Sequence, residues 1–272
     1  MIFRSPGPIA FSFRLPADLP LVGPVQFSLR WYGILMASAM ALGLWLSFRE
    51  ATRRGERADD LLKAAEIAII GALIGARLYY VLFSLDYYQT QPAWRIFAVW
   101  EGGLAIHGGL IGGLLAGGLY VWWRRLPLLT YLDIVAPYLA LGQAIGRWGN
   151  FFNEEAFGRP SDLPWKLYIS ETHRPPPLIE AEYFHPTFLY ESLWDFGVFL
   201  VLVFALRRRF QRAPGALFLA YLGLYSVGRF WIEGLRTDSL MLGPLRAAQL
   251  VSVIAVVVTA IGIPVLLRRQ PA

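Results

Sequence analysis

Long apolar runs recur along this chain and limit what it can fold into more than any other feature. Seven can be drawn, at residues 29–48, 61–83, 104–123, 128–148, 187–206, 216–232 and 247–267. A helix rises about 1.5 Å per residue, so about 20 apolar residues cross a hydrocarbon core of about 30 Å. None of the runs has the roughly ten-residue alternation of a barrel strand, which argues against closed β structure. The expected fold is all-α. It is a polytopic membrane protein with about seven transmembrane helices, forming a single integral-membrane domain over residues 1–272. The fourth run is the least regular, because Asp133, Pro137, Gln143 and Arg147 interrupt it.

Composition agrees with a lipid solvent. Hydrophobic residues make up 56% of the 272 positions and charged residues only 16%, against roughly 25% charged in soluble domains. A disordered chain or a disulfide scaffold is excluded, and an ordinary soluble enzyme fits poorly. Cysteine is absent, which removes a cysteine nucleophile, a thiolate metal site and a c-type haem attachment. Any thiol chemistry must use a thiol brought by something else. The net charge of +6 does not read as nucleic-acid binding. Lysine occurs only at Lys63 and Lys166, and most arginines stand at the ends of apolar runs, where they suit a bilayer partner with anionic lipid.

Arginine density gives an expected orientation. Arg49, Arg53, Arg54 and Arg57 follow the first run, and Arg124 and Arg125 the third. Arg207, Arg208, Arg209 and Arg212 follow the fifth, and Arg268 and Arg269 the last. Dense positive charge in short loops marks the cytosolic side. The N-terminus and the long loop at 150–186 are therefore expected outside, and the C-terminus in the cytosol. Residues 1–27 are broken by Pro6, Pro8, Pro16, Pro20 and Pro24. They lack the apolar core of a cleavable signal and read as an outward-facing arm.

An ionisable group inside a bilayer costs at least about 2.5–3.5 kcal/mol, so each one needs a reason. The block from Trp100-Glu101-Gly102-Gly103 to Gly113 carries His107 among glycines. That histidine reads either as a packing residue or as a site group. Gly109, Gly113 and Gly117, four apart, suit close helix packing, while Gly108 and Gly109 could also open room for a ligand. A second block, Gly146 to Pro160, holds Arg147, Asn150, Asn153, Glu155 and Gly158. It looks a poor helix and a good polar cage, able to hold a phosphate through Arg147. A capped turn with a snorkelling arginine is the equal alternative. In the sixth run Tyr225, Arg229 and Glu233, spaced four apart, share one helix face, with Arg236 beyond. An intrahelical Arg229–Glu233 pair would explain them without a ligand. Glu191 lies about a turn inside the fifth run, Thr187 reads as a cap, and Arg77 in the second run has no obvious structural role. The expected orientation puts His107, Arg147, Asn150, Glu155, Arg229 and Glu233 on one outer half. Two arginines there favour an anionic ligand, and a phospholipid headgroup is the natural one.

These residues carry a resemblance. The chain is similar to bacterial prolipoprotein diacylglyceryl transferase through Arg30-Trp31-Tyr32-Gly33, Trp100-Glu101-Gly102-Gly103 and His107-Gly108-Gly109-Leu110. The match continues through Gly146-Arg147 to Gly158-Arg159-Pro160, then His185-Pro186-Thr187 and Leu189-Tyr190-Glu191. It closes with Gly228-Arg229-Phe230, Glu233 and Arg236. Phe188 departs from the family, which usually has glutamine there. The resemblance implies a multi-pass transferase of the bacterial inner membrane, acting in lipoprotein biosynthesis. Such an enzyme moves the diacylglyceryl group of phosphatidylglycerol to the lipobox cysteine of a preprolipoprotein. A thioether forms and glycerol 1-phosphate leaves.

The residues suit that chemistry. A thiol with a pKa of about 8.5 is a weak nucleophile at neutral pH, so a nearby base helps. His107 is the candidate base or thiol-orienting group. Arg147 and Arg229 are the candidates to stabilise charge growing on the phosphate. Tyr32, Asn150, Asn153, Glu155, Gly158, Tyr225, Glu233 and Arg236 are expected to position or border the substrates. Histidines at 107, 173 and 185 lack ligand spacing, so no metal and no cofactor are expected. A retinal pigment would need a lysine in the last run, which has none. A transporter would spread its ionisable groups along a path and would reveal itself as flux in proteoliposomes.

Overall fold

The computed structural model describes residues 2–14, 26–99 and 102–268. Trp100, Glu101, Arg269 and most of the central arm, residues 15–25, lie outside the described residues. Two compact units emerge: Met1–Trp45 with Leu132–Ala272, and Leu46–Tyr131. Along the chain the helices are α1 (Trp31–Arg53), α2 (Ala58–Phe83), the short α3 (Leu85–Gln89) and α4 (Ile106–Trp123). They continue with α5 (Leu128–Asn153), α6 (Thr187–Leu200, extended by a π-helical turn Val201–Leu206), α7 (Ala216–Glu233) and α8 (Ala247–Arg268).

Each of the seven apolar runs thus becomes a helix. Five of these helices, α1, α2, α5, extended α6 and α8, are long and apolar enough to cross a membrane. The other two, α4 and α7, have 18 residues each. Six glycines and His107 dilute α4, and Arg229 with Glu233 does the same to α7.

The first unit has its apolar core between α5, α6 and α7, where Ala136, Ala140, Leu202, Leu217 and Ala220 are buried. A polar residue helps to fix this packing. Asp133 of α5 is 3% exposed, and its carboxylate accepts the Gly215 and Phe218 amides at 2.8 Å each. It therefore caps α7 from a neighbouring helix, which explains the acid that interrupts the fourth run. Asp133→Ala is expected to cost about 1–2 kcal/mol of unfolding free energy, read as a lower denaturation midpoint in detergent.

Short strands join the arm to the long loop. They are β1 (Phe3–Arg4), β2 (Ile9–Arg14), β3 (Gln26–Arg30), β4 (Leu167–Tyr168) and β5 (Tyr183–Phe184), followed by a small hairpin of β6 (Met241–Leu242) and β7 (Leu245–Arg246). β1 pairs parallel with β4, β4 antiparallel with β5, and β2 antiparallel with β3. The mostly helical fold therefore carries β structure in its arm and loops. Phe157, Leu167, Ile169, Phe184 and Phe188 form a second buried core under the three-stranded sheet. Phe188 is 3% exposed and meets Phe3, Trp148 and Phe151 at ring distances of 6.1, 5.4 and 4.8 Å. Phe188 is thus an aromatic link between arm and helices.

In the second unit α2 and α4 pack glycine to glycine. A Cβ on Gly75 would overlap the Gly108 carbonyl oxygen, one on Gly108 the Gly75 carbonyl, and one on Gly112 the Gly71 carbonyl. Gly109, Gly113 and Gly117 also face α2, with a built Cβ meeting its nearest atoms at 3.5, 3.2 and 3.0 Å. The tightest approach is at Gly108 and Gly112, so Gly108 serves the helix contact and does not open room for a ligand. Arg77 also receives its explanation here. It is 6% exposed and donates to the carbonyls of Ile96, Gly102, Gly103 and Arg95 at 2.7, 2.6, 3.1 and 2.5 Å. One guanidinium thus satisfies four loop carbonyls that would otherwise lack donors. At the far end of these helices, Asp60 of α2 accepts from Tyr120 of α4 and from Arg124 just past it, at 2.8 and 3.1 Å.

Candidate active site

Glu191 is the centre of the first unit's polar chemistry. It sits one turn into α6 and is 5% exposed. Its Oε2 lies 2.6 Å from Arg147 Nε of α5. Its Oε1 lies 3.0 Å from Arg229 Nη1 of α7 and 3.3 Å from Arg236 Nη1 just past α7. Three guanidinium groups from separate parts of the sequence therefore meet on one carboxylate. Arg229 also reaches Glu233, at 2.5 Å, and Glu233 is only 2% exposed. The i, i+4 pair and the longer-range contact coexist, so Arg229 is both paired along its helix and aimed at the cluster.

Glycine makes this placement possible. A Cβ on Gly228 would overlap the Trp194 indole, whose Nε1 donates to the Leu224 carbonyl at 2.9 Å. The bare backbone at 228 lets α6 lie close to α7 one residue before Arg229. At Gly158 a Cβ would stand 2.7 Å from His185 Cβ and 3.0 Å from Thr187 Cγ2. Gly158 forms a β-bridge with Arg236, and its amide donates to the His185 carbonyl at 3.0 Å. Its role is to bring the loop backbone against the base of Arg236. Thr187 does not cap α6; its hydroxyl donates to the Ala156 carbonyl at 2.5 Å. Asp238 takes Arg236 Nε and Nη2 at 2.9 and 2.7 Å. Burial pushes the Asp238 carboxyl up, but the hydrogen bonds and charge of Arg236 outweigh it and hold the group below the usual carboxylate range.

The block from Gly146 is helical as far as Asn153, contrary to the expectation of a poor helix. Neighbouring packing explains its glycines. Tyr32 of α1 lays its ring where a Gly149 side chain would be, with Cδ2 2.5 Å from a built Cβ, and Trp31 stacks on Phe152 at 4.9 Å. The helical turn projects Asn150 beside Arg147, with Oδ1 3.5 Å from Nη1. Asn150 and Asn153 donate to Glu155 Oε1 at 2.9 and 3.4 Å. Tyr225 stacks on Tyr221 at 6.1 Å and lies within electrostatic reach of Arg147, Arg229 and Glu191.

His107 belongs to the second unit, as the second residue of α4. It is exposed, because the adjacent Gly108 takes the face turned to α2. Its ring contact is with Tyr79, at 6.1 Å.

A cluster of arginines on a carboxylate, set among apolar helices, can hold an anionic oxygen group in a low-dielectric place. A family model for prolipoprotein diacylglyceryl transferase matches residues 20–265. The chain belongs to that family. Among its relatives is the phosphatidylglycerol–prolipoprotein diacylglyceryl transferase of Nostoc sp., 51% identical over 97% of this chain and 94% of the relative. The protein of the same name from Gloeobacter violaceus is 49% identical over 98% and 96%.

Sequence reasoning about this diacylglyceryl transferase family member left one acid unplaced and missed another. Glu191 was visible as an intramembrane acid, but its place at the centre of three arginines was not. Asp195, one turn further along α6, is 3% exposed, and its Oδ2 has no hydrogen-bond partner among the described residues. Arg147, Arg229 and Glu191 are its electrostatic neighbours. The available signal was their spacing. Two acids at i and i+4 inside an apolar run share one helix face.

Proposed function

We propose that this chain transfers the diacylglyceryl group of phosphatidylglycerol to the lipobox cysteine of preprolipoproteins. The observation that carries the reading is the convergence of Arg147, Arg229 and Arg236 in a chain about half identical, along nearly its whole length, to relatives named for that reaction. The thiol sulfur attacks the glyceryl carbon bonded to the phosphate oxygen, and that carbon–oxygen bond breaks. The electron pair leaves with the phosphate as glycerol 1-phosphate, and the thiol proton passes to a base. Arg147 and Arg229 hold the phosphate as its charge grows, where a low dielectric strengthens their pull. Glu233 and Arg236 fix the Arg229 side of the cluster. Asn150, Asn153 and Glu155 fix the Arg147 side, while Tyr32, Gly158 and Tyr225 shape the surroundings. His107 serves as the base or orients the thiol. The protein works in the bacterial inner membrane, with seven spans, an outer N-terminus and a cytosolic C-terminus, as the arginine distribution supports.

The reading is tested with purified protein, labelled phosphatidylglycerol and a lipobox peptide. Label is expected on the cysteine peptide and absent from its cysteine-to-serine counterpart; equal labelling of both would overturn it. For His107, the Gln variant is expected to transfer more slowly, the rate being measured against pH. An unchanged rate and profile would remove His107 from proton transfer.

A further inference from the structure

The structure assigns Glu191 a second role: it is an internal stand-in for the substrate phosphate, occupying the anion position of Arg147, Arg229 and Arg236 until the lipid displaces it. This inference rests on the phosphatidylglycerol reading of the same site. A phosphodiester offers two unesterified oxygens that share one negative charge, and so does a carboxylate. Glu191 spends both of its oxygens on the three guanidinium groups, Oε2 on Arg147 and Oε1 on Arg229 and Arg236. Arg236 and Arg229 each keep another carboxylate, Asp238 and Glu233. For Arg147, Glu191 is the carboxylate in contact.

Charge explains why such a group is useful. The ion-paired groups, Arg147, Arg229 and Arg236 with Glu191, Glu233 and Asp238, sum to zero, and Asp195 stands beside them without an ion pair to any of the three arginines. Three arginines facing one another without Glu191 would repel and lose their shared geometry. A lipid phosphate entering the cluster takes over the hydrogen bonds of Glu191, so the arginines are already aligned when it arrives. After transfer, the returning carboxylate competes with glycerol 1-phosphate and helps it leave. Glu191 is therefore a positioning residue that trades affinity for alignment and turnover.

The prediction is a split between binding and rate. In Glu191→Gln the neutral amide no longer competes for the arginines. Glycerol 1-phosphate, added as a soluble inhibitor, should bind roughly tenfold more tightly, while kcat falls on the order of a hundredfold. In Glu191→Asp the shorter side chain still carries charge but cannot reach all three partners. Inhibition should there tighten about two- to threefold, with an intermediate kcat. The Asp variant carries the test by itself should the Gln variant not fold. Weaker or unchanged inhibition in the folded variants would overturn the stand-in role and leave Glu191 as a structural ion-pair partner. Failure of the wild-type protein to modify the lipobox peptide would instead sink the functional reading.

Discussion

Arg147→Lys is expected to lower the transfer rate by about a hundredfold or more while leaving the folded protein intact. The substitution keeps the charge, so simple electrostatic attraction for an anionic lipid survives. What it removes is the planar fork. Arg147 uses Nε on Glu191 at 2.6 Å and presents Nη1 to Asn150 at 3.5 Å, directions that a single ammonium cannot reproduce. Losing one well-placed donor to a developing oxyanion costs about 10²–10³ in rate in comparable sites. Steady-state transfer beside thermal unfolding in detergent checks this. Wild-type turnover in a folded Lys variant would remove the phosphate-clamp role.

Gly112→Ala is expected to give a large loss of stability from a single methyl group. The added Cβ would overlap the Gly71 carbonyl oxygen and come within 2.9 Å of Gly75 Cα. Those are backbone atoms of α2, so no rotamer change can relieve the contact and the helices must move apart. Overpacking of this kind costs about 1–3 kcal/mol or more. Gly118 on the same helix supplies the control, since a Cβ there meets nothing within 4 Å. Gly118→Ala should be neutral or slightly stabilising, because alanine is the better helix former. Unfolding midpoints of the two variants separate the effects. Equal midpoints would show that the α2–α4 contact yields more easily than its geometry implies.

The helices were legible in the sequence because membrane spans announce themselves by length and apolarity. Residues 247–267, for example, became α8 (Ala247–Arg268) nearly unchanged. Individual burial roles were less legible, because they depend on partners distant in sequence. Asp133 looked like an interruption and proved to cap α7 across more than 80 positions. Arg77 seemed to lack a structural role until the carbonyls of Arg95, Ile96, Gly102 and Gly103 folded over it. The Arg229–Glu233 pair could be read from its spacing, whereas the meeting of Arg147, Arg229 and Arg236 on Glu191 needed three segments to be placed. The strands at 3–4, 167–168 and 183–184 are too short to give a pattern. They exist because pairing satisfies loop amides above the helices.

The central claim is that the arginine cluster holds a phosphate that leaves while the sulfur takes the glyceryl carbon. Its most direct measurement uses phosphatidylglycerol labelled separately in the phosphorus and in the acyl chains, with the modified lipobox peptide identified by mass. The account predicts a peptide heavier by one diacylglyceryl group, carrying acyl label and no phosphorus, with all released phosphorus in glycerol 1-phosphate. Phosphorus retained on the peptide would mean that a phosphorus–oxygen bond breaks, and would contradict the account.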